Sequence, residues 1–416
     1  MTEQVFLILA LAAGFYMAWN IGANDVANAF GTSVGSGAIS FRQALVFAAI
    51  FEFAGAFLVG SHVSDTIKGN IVQPAVFAHD PMLFATGMLA ALMAAGIWLN
   101  IASYLGQPVS TTHSIIGAVI GFGLVTAGPE SVQWHKMGRI AASWFVSPVA
   151  GALLAFLIYF AIRKYVMRSA SPARRASKAL PLGFAATCFV MVFSGVVDLL
   201  PRLVGGLKGS ALHATAVASG LTAALLGGWL AWLYWRNASS AGTLDEQYEL
   251  VERRFGRLQI VTACYMAFAH GANDVANAIG PIAGILQALK GNIAAKTAVP
   301  SWVLFFGGLG IVIGLATYGR KVMMAVGSKI TEVTPTRGFS AEFATATTVL
   351  VSSLIGLPIS TTFVLVGAVM GVGFARGFGA IDLSVVKRIF LSWVITIPCS
   401  AGLAALLYVL LRWLVN

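Results

Sequence analysis

The sequence predicts an all-α polytopic membrane protein, with about twelve transmembrane helices arranged as two inverted repeats with interrupted helices or re-entrant hairpins. Three observations carry that expectation. Hydrophobic residues make up 58% of the 416-residue chain and charged residues only 10%, with a mean hydropathy of +0.85, which leaves too little polar surface to face water. The apolar residues fall in runs of about 20, the length that crosses a bilayer as a helix, whereas barrel strands would be short and alternating. The string Gly-Ala-Asn-Asp-Val-Ala-Asn occurs twice, at 22–28 and 271–277, each time within such a run.

The apolar segments are 4–21, 43–62, 82–105, 111–127, 139–162, 180–200, 211–235, 258–285, 299–319, 341–356, 358–377 and 387–414. The 45 glycines suit membrane helices that approach one another through small residues. Residues 4–39 are nearly free of charge but too many for one straight span, and the polar string sits in their middle, so an interrupted helix is expected there. Segments 82–105 and 111–127 flank Gly106-Gln107-Pro108-Val109-Ser110-Thr111-Thr112, and read as two spans or as one re-entrant hairpin. That string returns as Gly356-Leu357-Pro358-Ile359-Ser360-Thr361-Thr362, and Ser143-Trp144 returns as Ser392-Trp393. The three pairs of markers are offset by 249, 250 and 249 positions, so the chain reads as two copies of one unit. The copies are 1–162 and 258–416, with a two-helix insert at 163–257 carrying cytoplasmic flanks. Seven spans separate the first span from its counterpart, and an odd number turns the copies opposite ways in the membrane. Counting each hairpin as no crossing leaves the parity odd.

Orientation follows from the densest basic loop, Arg163, Lys164, Arg168, Arg174, Arg175 and Lys178, which should be cytoplasmic. Both termini then face outside, in a multi-pass protein. Residues 244–257 mix Glu and Arg and read as a surface helix or a plain linker. No basic region precedes the first apolar run at Met1-Thr2-Glu3-Gln4, so no cleavable signal peptide is expected. The net charge of +11 is spread through loops without interleaved aromatics, which argues for topology and against a nucleic-acid partner. Cys188, Cys264 and Cys399 stand alone in apolar segments and read as packing residues.

An interruption at the repeated Asn-Asp strings would free backbone carbonyls, at Ala23 and Ala272, beside hard side-chain oxygens. Asn24, Asp25, Asn273 and Asp274 are accordingly cation candidates, with Na⁺ placed at Asn24 and Asn273, and a carboxylate in the membrane is by default functional. Asn28 and Asn277 complete the strings. Glu52 and Glu342 lie in apolar surroundings without a carboxylate counterpart in the other copy, and each is a further ion or proton candidate; Glu342 could also simply stabilise a helix N-terminus after Ser340. His113 is replaced by Phe363 and His270 by Ile21 in the opposite copies, so both histidines read as packing or tuning residues. Each Pro-x-Ser-Thr-Thr string sets a proline and three hydroxyls where a helix should begin. Such a terminus holds an oxyanion through free N–H groups, with Ser110, Thr111, Thr112, Ser360, Thr361 and Thr362 as neutral donors. None of the four motifs contains Lys or Arg, so Asp25, Asp274 and a dianion would bring about four negative charges into a low-dielectric site. Cations must travel with the anion, which points to a symporter.

In order and spacing, the paired Gly-Ala-Asn-Asp-Val-Ala-Asn and Pro-[Val/Ile]-Ser-Thr-Thr strings resemble the inorganic phosphate transporter (PiT) family over essentially the full length. The resemblance implies a twelve-helix inverted-repeat fold that takes up orthophosphate with Na⁺ or H⁺ by alternating access. It implies phosphate held by Asp25, Asn28, Asp274, Asn277 and the Ser-Thr-Thr hydroxyls, and important intramembrane glutamates at Glu52 and Glu342. The large hydrophilic domain of animal members is replaced by a short linker, which looks bacterial or archaeal. The alternative is a sulfate permease of the same fold and coupling. No cofactor is expected beyond the transported cation, and a homodimer is one option for the assembly. An intramembrane hydrolase built on Ser110, His113 and Asp25 is disfavoured, because the second copy keeps the hydroxyls and lacks the histidine.

Overall fold

A computed structural model describes residues 2–104, 109–204, 208–236, 242–291, 293, 298–319, 334–377 and 383–415, and it is all-helical but for one bridged pair, Val72 and Val132. The first half holds α1 (Glu3–Gly35), α2 (Phe41–Val59), α3 (Ser61–Gly69), α4 (Pro81–Tyr104), α5 (Thr111–Ala127) and α6 (Trp134–Ile162). Then come α7 (Pro172–Val204) and α8 (Gly209–Trp235). The second half holds α9 (Leu244–Asp274), α10 (Ala276–Leu289), α11 (Ser301–Thr317), α12 (Pro335–Leu354), α13 (Thr361–Arg376) and α14 (Leu383–Val415). Among the described residues, 7 helices are long and apolar enough to cross a membrane: α1, α2, α4, α6, α7, α8 and α14. The chain is thus a multi-pass membrane protein. The charged stretch 244–257 is the first part of α9, started by a capping box between Thr243 and Glu246.

The interruption expected within residues 4–39 does not occur. α1 is a single helix of 33 residues that runs through Gly22–Asn28, about 50 Å long. The physical reason lies in the string itself. It has no proline, its alanines favour helix, and its carboxamides bond side chains instead of competing for the backbone: Asn24 and Asn28 both donate to Asp25 Oδ1. In the second copy α9 gives way to α10 at Val275, whose backbone (φ −55, ψ −32) is still helical. Ala23 therefore lies mid-helix with its carbonyl inside the ladder, whereas Ala272 lies in the last turn of α9, where the ladder stops at the Val275 break.

Further breaks lie between the helices of each hairpin. Antiparallel bonds from Gln73 N–H to Ser131 O (2.8 Å) and from Gln133 N–H to Ile71 O (2.9 Å) tie the segment before α4 to the segment after α5. α4 and α5 are therefore a hairpin whose two outer ends lie together, next to the start of α6. At the other end of α6, Arg163 donates to Ala375 O (2.7 Å), the end of α13. Thr336, at the start of α12, bonds Glu252 of α9 through both its N–H and its hydroxyl. The α12/α13 hairpin thus opens at the opposite end of α6, a helix of 29 residues or about 43 Å. The inner tips of the two hairpins meet: Thr112 Oγ1 donates to Ile359 O at 3.1 Å. α3 supports the second tip, with Thr66 Oγ1 donating to Gly356 O at 2.6 Å.

Glycines set the helix crossings, and the crossings recur. A Cβ on Gly22 would lie 1.9 Å from Ile311 O, and one on Gly271 would lie 2.1 Å from Glu52 O. Likewise Gly55 abuts Phe268 O and Gly314 abuts Trp19 O. In the hairpins, Gly117 and Gly121 of α5 meet Ile397 O and Ala401 O of α14, while Gly367 and Gly371 of α13 meet Pro148 O and Ala152 O of α6. Lipid supplies no hydrophobic drive between helices, so such backbone-to-backbone approaches are what hold them in place.

Candidate functional site

The crossing of α1, α2, α9 and the two tips buries three carboxylates around one imidazole. His270 Nδ1 is 2.7 Å from Glu52 Oε2, and its Nε2 is 3.2 Å from Asp274 Oδ2 and 3.8 Å from Asp25 Oδ2. His270, Glu52 and Asp274 are fully buried and Asp25 nearly so. Local geometry explains the grouping. His270 and Asp274 are one turn apart on α9, and the Gly271 contact presses Glu52 of α2 against the same turn. Asp25, Asp274 and His270 present ligand atoms within 4.8 Å of one another, a set that could hold a cation.

Each tip is bonded to the polar string of the opposite half. Thr111 Oγ1 donates to Asp274 Oδ2 at 3.0 Å, and the Asn277 amide donates to Thr112 Oγ1 at 3.2 Å. Across the site the Asn28 amide donates to Thr362 Oγ1 at 2.8 Å and to Asp25 Oδ1 at 3.1 Å. Asn24 donates to Asp25 Oδ1 at 3.2 Å and accepts from Ser103. Oriented so that both ends of its amide are satisfied, Asn273 does the same for Asp274 Oδ1 at 3.1 Å and accepts from Ser353. Ser110 and Ser360 cap α5 and α13, their hydroxyls accepting from the backbone N–H groups of His113 and Phe363. The N-termini of both hairpin helices therefore converge beside the carboxylates, with the hydroxyls of Ser110, Thr111, Ser360, Thr361 and Thr362 around them. Asp25 Oδ2, Glu52 Oε1 and Asn277 Oδ1 are buried and accept no hydrogen bond among the described residues. Unspent acceptor capacity of this kind is what a cation or a protonated ligand would satisfy.

The electrostatics leave the group short of positive charge. Were all three carboxylates ionised and the imidazole charged, about two negative charges would stand uncompensated in a low-dielectric interior. Among the described residues no lysine or arginine enters the cluster, which leaves small cations or protons to make up such a balance.

Glu342 lies apart, about 10 Å further along α1 toward Gly35. Its Oε1 accepts from Thr32, Ser33 (2.7 Å) and Gln259 (3.1 Å), and its Oε2 accepts from Thr262 (2.8 Å). α12 begins at Pro335, well before Ser340, so Glu342 does not serve the helix N-terminus. At the positions related to this pocket by the sequence repeat stand Ala10, Ala13, Leu92, Pro281 and Ile282, all buried and apolar. They cluster as well, for a Cβ on Gly14 would touch both Ile282 and Leu92.

The structure brings together every residue that the repeated strings single out, except that Ala23 offers no freed carbonyl and Glu342 forms its own pocket. It also gives His270 a role that the comparison of copies missed. Ile21 stands where His270 would have its counterpart, and the structure shows that Glu52, too, has an isoleucine, Ile311, at the matching crossing. The two departures from the repeat are one hydrogen-bonded pair. His113 does not face Ser110 Oγ as a triad would require; its ring packs on Trp144 and Phe363.

A sequence profile described as the Phosphate transporter family matches residues 21–404. A Haemophilus influenzae protein described as a phosphate permease is 45% identical over 97% of this chain and 96% of its own. The chloroplastic inorganic phosphate transporter 2-1 of Arabidopsis thaliana is 46% identical over 95% of this chain and 70% of its own. A solved structure, a sodium-dependent phosphate transporter, superimposes with a TM-score of 0.91 at 41% identity, covering 98% of this chain and 99% of that one.

Proposed function

Since the chain belongs to the phosphate transporter family, we propose that it takes up inorganic phosphate together with Na⁺, by alternating access of two inverted repeats, 1–162 and 258–416, around the buried site. The observation that carries this reading is the cross-bonding of the two tips with the opposite Asn-Asp strings, Thr111 to Asp274 and Asn28 to Thr362. Phosphate lies between the helix N-termini of α5 and α13, receiving N–H and hydroxyl donors, while Asn28 and Asn277 orient it. Na⁺ binds among Asp25, Asp274, Asn24 and Asn273, with Glu52 held in place by His270 and Glu342 providing a further carboxylate nearer the end of α1. Bound cation lowers the cost of bringing in the anion, and bound anion lowers the cost of the cation, so each raises the other's affinity.

Sodium is favoured over protons by the name of the solved neighbour. The repeat reading is supported by the matched glycine crossings and by hairpins that open at opposite ends of α6. With 163–178 cytoplasmic, both termini lie outside. The sulfate alternative gains no support, since the family profile and each relative reported above name phosphate.

The test is labelled phosphate uptake into proteoliposomes, with Na⁺ and pH gradients imposed separately and sulfate as competitor. Uptake driven by an inward Na⁺ gradient and unaffected by excess sulfate is expected. Uptake driven by the pH gradient alone would reassign the coupling ion, and flux indifferent to both gradients would make the protein a passive pore.

A further inference from the structure

Trp144 belongs to the third pair of repeated markers, Ser143-Trp144 and Ser392-Trp393, which neither phosphate nor cation binding uses. It projects from the first part of α6 and is nearly buried. Its ring lies 4.1 Å, centroid to centroid, from that of His113, the residue immediately after Thr112 on the first tip. Its indole N–H donates to the carbonyl of Pro358, two residues before Ser360 on the second tip, at 3.2 Å. His113 in turn lies 5.2 Å from Phe363, its own counterpart in the repeat, so the residues that follow the two Ser-Thr-Thr strings also touch. One stiff side chain, with only two rotatable bonds, thus contacts both tips from a helix that belongs to neither hairpin.

We propose that Trp144 is a positioning residue that fixes the separation of the two hydroxyl-bearing tips between which phosphate is held. The proposal rests on the phosphate reading above, and goes beyond it in assigning the spacing of the two half-sites to a residue that touches neither phosphate nor cation. The indole is suited to this because its two contacts differ in kind. The ring packs on the His113 imidazole of one tip in a T-shaped contact, with planes 60° apart, while the N–H fixes the height of the other tip through a backbone carbonyl that no substitution of Pro358 removes. A dianion held between two helix N-termini feels both through short hydrogen bonds, so a small change in their separation weakens one set or the other.

The experiment compares wild type with Trp144→Phe, which keeps an aromatic ring against His113 and loses the N–H. In proteoliposomes the KM for phosphate should rise about three- to tenfold, as the loss of one neutral buried hydrogen bond would give, with the maximal rate per inserted molecule within about twofold. A residue that merely fills space would lower the amount of folded protein and leave KM alone, and that result overturns the proposal. A second measurement does not depend on the substrate. Spin labels at positions 124 and 374, in a background with the three cysteines replaced by alanine, report the distance between α5 and α13. Trp144→Phe should broaden that distribution, and an unchanged distribution overturns the proposal whatever happens to KM. If the wild type itself carries no phosphate, the functional reading fails while the spin-label distances still decide the role of Trp144. Should Trp144→Phe not fold, His113→Ala removes the other contact of the indole and is read by the same two criteria.

Discussion

Each carboxylate in the central cluster has a local reason to be tolerated. Glu52 has the His270 imidazole, Asp274 has His270 and Thr111, and Asp25 has the two asparagines of its own string. Removing His270 leaves the carboxylates buried without compensation, which is strongly unfavourable, and removing either aspartate takes away a candidate cation ligand. Asp25→Asn, Asp274→Asn and His270→Ile should therefore each lower sodium-driven phosphate uptake at least about a hundredfold while leaving the protein inserted in the membrane, as judged by surface labelling and uptake on the same vesicles. Normal transport in the aspartate variants would remove both residues from the site. The aspartates and asparagines were legible in the sequence because they are duplicated. His270 was not, because its value comes from Glu52 on another helix, and a comparison between copies shows only that Ile21 replaces it. A residue whose partner lies across a helix crossing is visible only once the crossing is known.

At the scale of elements, most apolar runs are helices and the hairpins were one of two readings of the segments that flank the Ser-Thr-Thr strings, whereas the continuity of α1 did not follow. A polar string in a long apolar segment suggests unwinding, but here asparagine side chains absorb the polar demand and the backbone keeps its ladder. What fixes the elements against one another is glycine at the crossings. Replacing Gly271 by valine should separate α9 from α2 and cost about 1–3 kcal/mol of stability, seen as a lower unfolding temperature in detergent, because its Cβ would sit 2.1 Å from Glu52 O. Gly31 in α1 has nothing within 4 Å of its would-be Cβ, so Gly31→Ala should leave that temperature unchanged. Equal effects at the two positions would show that close approach is not what these glycines provide.

For the whole molecule, the two hairpins open at opposite ends of α6, so single cysteines placed beside Gln133 and beside Arg376 should react with an impermeant maleimide from opposite sides of a sealed vesicle. Labelling from the same side would end the inverted arrangement. The odd count of spans argues for inversion, and the opposed hairpins support it, yet neither says which way the site communicates with the two solutions, because that depends on where the halves differ and not on where they match. They differ at the His270–Glu52 pair and again at Glu342. On the proposed route, one end carries a carboxylate pocket and the related place at the other end is filled by Leu92, Ile282, Ala10 and Ala13. An ion leaving by the acidic end finds a resting place partway, whereas one crossing the greasy end has a single tall barrier. Gradients still decide the net direction of flux, but the two legs of the cycle need not run at comparable speed, and this carrier should behave as a rectifier: quick in the sense its gradients normally impose, sluggish when they are reversed.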